Sequence, residues 1–98
     1  MAPKAAVNLG VLLEEQGDFE GARAAYQLAI DSGHADMAPK AAVNLGNLLR
    51  KQGDTGGARA AYQLAIDSGH ADEAPMAAVN LEALLKEQGD TGAAKGQP

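Results

Sequence analysis

The ten residues Met1-Ala2-Pro3-Lys4-Ala5-Ala6-Val7-Asn8-Leu9-Gly10 return unchanged as Met37 through Gly46. A third, looser copy starts at Ala74-Pro75 and carries Ala77-Ala78-Val79-Asn80-Leu81. The period is 36 residues, and the second copy departs from the first at five places: Val11/Asn47, Glu14/Arg50, Glu15/Lys51, Phe19/Thr55 and Glu20/Gly56. Copies this alike arise by recent duplication or by design. A period between about 20 and 50 residues means a solenoid or array, in which no unit buries its apolar face alone.

Within one unit the spacing is helical. Ala6, Leu9, Gly10 and Leu13 follow the i, i+3, i+4, i+7 pattern, with Ala5 and Leu12 as a second apolar flank. Gln16-Gly17-Asp18 closes that helix and opens another: Gly17 suits a left-handed C′ position, and Asp18 can accept the free N–H groups that follow. The second helix places Ala22, Tyr26 and Ala29 on one stripe and Ala25 and Leu28 on another, and ends at Gly33. His34-Ala35-Asp36 leads back, with Asp36 as the expected N-cap and Pro39 in the first turn, where its missing N–H costs nothing. The pattern predicts helices near 3–16, 19–32, 38–52, 55–68 and 74–88. Each has two apolar sides, as a layered stack needs.

Composition agrees. The apolar 46% contains no Trp, one Phe and two Tyr, and rests on Ala and Leu, which favour close-packed helices over a sandwich or barrel. With no Cys, disulfide scaffolds, thiolate metal sites and cysteine nucleophiles are excluded. A net charge of −5 argues against a phosphate-backbone binder, so no nucleic acid is expected as partner. No apolar run approaches the roughly 18 to 20 residues of a spanning helix, so no membrane is expected either, and the chain reads as cytoplasmic.

These residues resemble the tetratricopeptide repeat family over nearly the whole chain. The family's first helix carries an apolar residue, then Leu-Gly, then a large residue, here Ala6, Leu9, Gly10 and Leu13; its second carries Ala, an aromatic and Ala, here Ala22, Tyr26 and Ala29, repeated as Ala58, Tyr62 and Ala65. The resemblance implies an all-α fold, a short right-handed helical-repeat solenoid of antiparallel helix pairs, about two and a half repeats long. Gly10 and Ala22 are small where paired helices approach, and Tyr26 fills the space beside them. Two departures stand out. The family spacing is about 34 residues, and here the junction is two residues longer, with Gly33-His34-Ala35 similar to the Sel-one-like relatives of the family. The acidic balance disfavours the RNA-binding pentatricopeptide relatives.

The expected organisation is one repeat domain over 1–98: repeat 1 over 1–36, repeat 2 over 37–72, a partial repeat over 73–89 acting as a capping helix, and a truncated, mobile tail over 90–98. Glu82 stands where Gly10 and Gly46 stood, and a charge there marks a surface facing water. Equivalent helices would bring Glu14 and Glu15 near Arg50 and Lys51, and Lys51 near Glu87. Such exposed pairs are worth roughly 0–1 kcal/mol each and discriminate registers more than they hold the stack.

The candidate binding stripe of the first helix is Lys4, Val7, Asn8 and Val11, with counterparts Lys40, Val43, Asn44 and Asn47, then Met76, Val79, Asn80 and Ala83. In the resembled family this stripe lines the concave groove that holds a peptide. Three Asn side chains would offer donors and acceptors to a peptide backbone over an apolar floor of Val; the alternative is that they bond to neighbouring repeats or water. The family's carboxylate clamp needs basic and Asn residues at several groove places; only Asn44 matches, since the first-copy basic and Asn places are Val7 and Val11 and the third-copy basic places are Met76 and Asn80, so chaperone tails are not the expected ligand. His34-x-Asp36 and His70-x-Asp72 supply two metal ligands each, short of the three or four a zinc site recruits. Ser32 and Ser68 precede them without a third, orienting group. No metal, cofactor or catalytic residue is expected. The function read from the sequence is a noncatalytic protein or peptide scaffold; the second reading is a self-assembling structural unit without a native ligand, including a swapped dimer or other homo-oligomer.

Overall fold

The computed structural model describes residues 1–96, with side chains through residue 89; the tail expectation for residues 97–98 lies outside them. Five helices follow one another: α1 (Pro3–Glu15), α2 (Phe19–Asp31), α3 (Met37–Lys51), α4 (Thr55–Asp67) and α5 (Glu73–Gly96). The described residues contain no strand. They form a flat slab of 53 × 30 × 16 Å.

The turn inside each pair is three residues long and closes itself. Gly17 and Gly53 sit at φ of 81° and 80°, a conformation that only Gly enters cheaply. The next residue's N–H then reaches back across the turn, Asp18 to the Leu13 carbonyl at 2.8 Å and Asp54 to the Leu49 carbonyl at 2.9 Å. The same two aspartates cap the helices they introduce, each carboxylate accepting an N–H at 2.9 Å, from Gly21 and Gly57.

Packing inside a pair turns on one contact made twice. A methyl placed on Gly46 would lie 2.5 and 2.6 Å from the Tyr62 ring carbons Cε1 and Cδ1, and Gly10 meets Tyr26 in the same way. Both rings are fully buried. The residue expected to be small is small because an aromatic edge occupies its side-chain space.

Successive pairs stack chiefly through α2 on α3 and α4 on α5, with the odd-numbered helices meeting along one side. α1 packs on α3 and α3 on α5, α2 and α4 fill the gaps behind them, and the backbones of α2 and α4 do not approach each other. The closely spaced row of α1, α3 and α5 is therefore the inner side of the array. One core runs through it, from Ala6, Ala22 and Tyr26 to Leu48, Tyr62, Ala77 and Leu84.

Two expectations need correction. Asp36 precedes α3 but makes no side-chain cap; its own φ and ψ of −99° and −43° are already helical, so its carboxylate cannot fold over the free N–H groups. The imidazole of His34 does this instead, its Nδ1 accepting from the N–H groups of Asp36 at 3.1 Å and Met37 at 3.0 Å. His70 repeats the arrangement with Asp72 and Glu73. Second, α5 does not stop at Gly89 but continues to Gly96. Gly89 lacks the positive φ of the earlier turn glycines. Glu82 replaces the glycine that admits a returning tyrosine, and Pro98 stands 36 residues after Tyr62. Glu87 pairs with Arg50, and Lys51 lies near it in the lining of one depression, as expected.

Candidate functional site

The inner face carries a shallow cleft of about 390 Å³ lined by Val11, Glu14 and Glu15 of α1, Asn44, Asn47 and Lys51 of α3, and Tyr26 from behind. It continues through Asn47 and Lys51 into a second depression of about 430 Å³ bounded by Arg50 and Glu87. Both lie at the C-terminal ends of the inner helices, where the two copies differ most in sequence.

A polar network holds the walls. The Tyr26 hydroxyl donates to Glu14 Oε1 at 2.9 Å, and Lys51 Nζ donates to Glu14 Oε2 at 3.2 Å, linking α2, α1 and α3 through one carboxylate. One repeat later the Tyr62 hydroxyl donates to Asn47 Oδ1 at 2.6 Å, and Asn80 Nδ2 donates to the same oxygen at 3.3 Å. Arg50 donates to Glu87 beside them. Burial pushes the Tyr26 phenol up, and the carboxylate of Glu14 pushes it further. Burial also raises Tyr62, against the opposing pull of the Arg50 guanidinium. Arg50 is itself raised, chiefly by its bond to Glu87. Both tyrosines thus stay neutral donors, Tyr26 in the wall of the cleft and Tyr62 bonded to its lining residue Asn47.

Of the residues singled out from the sequence, Val11, Asn44 and Asn47 line the cleft. Lys4, Asn8 and Lys40 are exposed on the same helices and line neither depression; Asn80 and Ala83 are half-buried, and Met76 is exposed. The valine floor is not there. Val7 and Val43 are each 2% exposed and belong to the core, whereas Val79 is 67% exposed. Among the described residues α5 packs on α3 and α4, so the side that a partner helix covers in the first two pairs is open there. Nor do the three asparagines form a ladder, since Asn80 bonds to Asn47 rather than to Asn44. Sequence reasoning missed Glu14, Glu15, Lys51 and Tyr26 as cleft residues; the signal was the charge change from Glu14 and Glu15 to Arg50 and Lys51.

The histidines and serines of the junctions are committed elsewhere. Ser32 Oγ donates to the Ala29 carbonyl at 2.6 Å and accepts the His34 N–H at 3.1 Å, and Ser68 does the same with Ala65 and His70. Because two N–H groups converge on His70 Nδ1, the ring proton sits on Nε2, which donates to Asp36 Oδ1 at 3.0 Å across the junctions. Among the described residues no three His, Cys, Asp or Glu side chains gather to hold a metal ion.

The model of the tetratricopeptide repeat family matches residues 7–77, from within α1 to within α5. The chain belongs to the tetratricopeptide repeat family. Tetratricopeptide repeats generally serve as noncatalytic scaffolds for protein–protein interaction, and the helix pairs, buried tyrosines and inner row of α1, α3 and α5 give this chain the corresponding framework. No curated protein matches it in sequence. No helix among the described residues is long and apolar enough to cross a membrane.

Proposed function

We propose that the cleft between α1 and α3 binds a segment of a partner protein and that the chain acts as a noncatalytic scaffold in the cytoplasm. The observation that carries this reading is the composition of the cleft: Asn44, half-buried, beside Val11, with carboxylates on one wall and Lys51 on the other. An amide that both donates and accepts suits a peptide backbone, and walls of both signs suit a segment carrying mixed charge. A noncatalytic role is supported by the serines and histidines, whose hydroxyls and Nδ1 atoms are taken up by the junction turns.

Selection from a displayed peptide library tests the proposal. Selected peptides should lose at least tenfold in affinity for both Asn44→Ala and Val11→Glu, and keep their affinity for Gln63→Ala on the exposed face of α4. A library that yields no binder, or binders indifferent to both cleft variants, would overturn it.

A further inference from the structure

The outward side of α1 is an uncovered copy of a surface that the chain covers twice elsewhere. On α3, Ala41, Leu45 and Leu48 are buried where α2 lies against them; on α5, Ala77 and Leu84 are buried and Leu81 partly so against α4. The same three residues on α1 are Ala5, Leu9 and Leu12. Ala5 is exposed, Leu9 half-buried, and Leu12 is 49% exposed against 0% for Leu48.

The likeness between α1 and α5 extends to the polar contacts. α5 bonds to α3 through Asn80, which reaches Asn47, and through Glu87, which meets Arg50. Counting 72 residues back, α1 carries Asn8 and Glu15. All five residues, Ala77, Asn80, Leu81, Leu84 and Glu87, thus recur unchanged in α1 as Ala5, Asn8, Leu9, Leu12 and Glu15. The seat on α3 and α4 offers Arg50 to a glutamate in either case.

We propose that this seat is a self-association site, that its second occupant is α1 of another copy of the chain, and that α5 is the resident helix that keeps it closed. Since both helices present the same residues, tethering decides which one sits there. A tethered segment has an effective concentration on the order of millimolar, and the His70 cap and the His70–Asp36 bond hold the start of α5 in place. The intact chain at micromolar concentration therefore keeps α5 docked. Once α5 is loosened, α1 of a second copy enters, already rigid from its own packing on α2. The contact joins unlike surfaces, so every added copy brings a new seat and a new α1, and the product grows with concentration until a ring closes.

Light scattering over a concentration series tests this with two substitutions. Leu84→Glu removes the buried anchor of α5, 3% exposed, and should give a mass that rises with concentration through several multiples of the monomer. Leu12→Glu changes a half-exposed position, and the double variant should remain monomeric at the same concentrations. A helical Leu84→Glu chain that stays monomeric throughout, or a double variant that associates equally, would overturn the proposal. A second measurement needs no loss of the α5 anchor. The chain has no cysteine, so Glu15→Cys and Arg50→Cys variants can be mixed and oxidised at high concentration. Disulfides between unlike variants should exceed those between like ones several-fold. An excess of Glu15→Cys pairs with themselves would assign the face to symmetric pairing, and equal amounts would show no preferred contact; either contradicts the head-to-tail seat.

Discussion

Replacing Gly46 with alanine tests the contact that sets the distance between paired helices. The added methyl would stand 2.5, 2.6 and 3.0 Å from Cε1, Cδ1 and Cζ of Tyr62, where ordinary contact begins near 3.4 Å. The ring cannot swing aside, because it is fully buried and its hydroxyl is tied to Asn47. α3 and α4 must separate by about 1 Å. Overpacking of this kind costs roughly 1–3 kcal/mol, and a rigid ring places it near the upper end. Alanine returns about 1 kcal/mol through helix propensity. A net loss of about 1–2 kcal/mol remains, or roughly 5–15 °C in melting temperature for a domain of this size. Gly56→Ala is the matched control: nothing lies within 4 Å of its added methyl, so it keeps the propensity gain and should be neutral or stabilising by up to about 1 kcal/mol. Urea unfolding followed by circular dichroism measures both. In a double-mutant cycle, Tyr62→Leu should relieve much of the Gly46→Ala penalty. A Gly46→Ala chain as stable as the parent would refute the reasoning.

Three further outcomes follow from the same contacts. Asp18→Ala and Asp54→Ala should each cost about 1 kcal/mol, since each removes a cap, whereas Asp36→Ala should cost less than about 0.5 kcal/mol, its exposed carboxylate capping nothing; thermal melts of the three variants distinguish these. His70→Ala should cost about 1 kcal/mol, because two N–H groups at the start of α5 lose their acceptor, and equal stability of His70→Ala and the parent would remove the imidazole cap. Both phenols are raised in the folded chain, while in the unfolded chain they ionise near pH 10. The unfolded state therefore releases protons first as pH rises. The stabilisation is complete below about pH 10 and is lost as pH climbs toward the folded values. Denaturation midpoints between pH 9 and 11.5 should fall, less steeply in Tyr26→Phe; a flat profile contradicts this.

The helix pairs and the Gly–Tyr contact were legible because a 36-residue repeat with 3.6-residue periodicity leaves few alternatives. The valines were not. Val7 is one position round the helix from Ala6, and stripes of an α-helix that touches two neighbours overlap, so position alone did not separate core from groove. The Asp36 cap misled because the sequence shows which residues can accept N–H groups but not which one has the backbone angles to reach them. The long α5 reflects a turn signal that is necessary and insufficient: Gly53-Asp54-Thr55 and Gly89-Asp90-Thr91 are the same words, and what folds α4 back is Tyr62 against Gly46. Glu82 carried that information. In the cleft, Tyr26 read as filler because its ring is buried, and its hydroxyl emerges beside Glu14 only once α1 and α2 are placed.

That both copies fold into the same pair, each locked by a tyrosine on a glycine and joined to the next through the inner helices, is best tested by nuclear Overhauser spectroscopy of the intact chain. The account predicts strong cross-peaks from the Tyr26 ring to Gly10 Hα and from the Tyr62 ring to Gly46 Hα, both glycine signals shifted by the ring current, together with a cross-peak between the side chains of Asn80 and Asn47. Ring contacts in one copy without the other, or paired copies lacking the Asn80–Asn47 link, would contradict it.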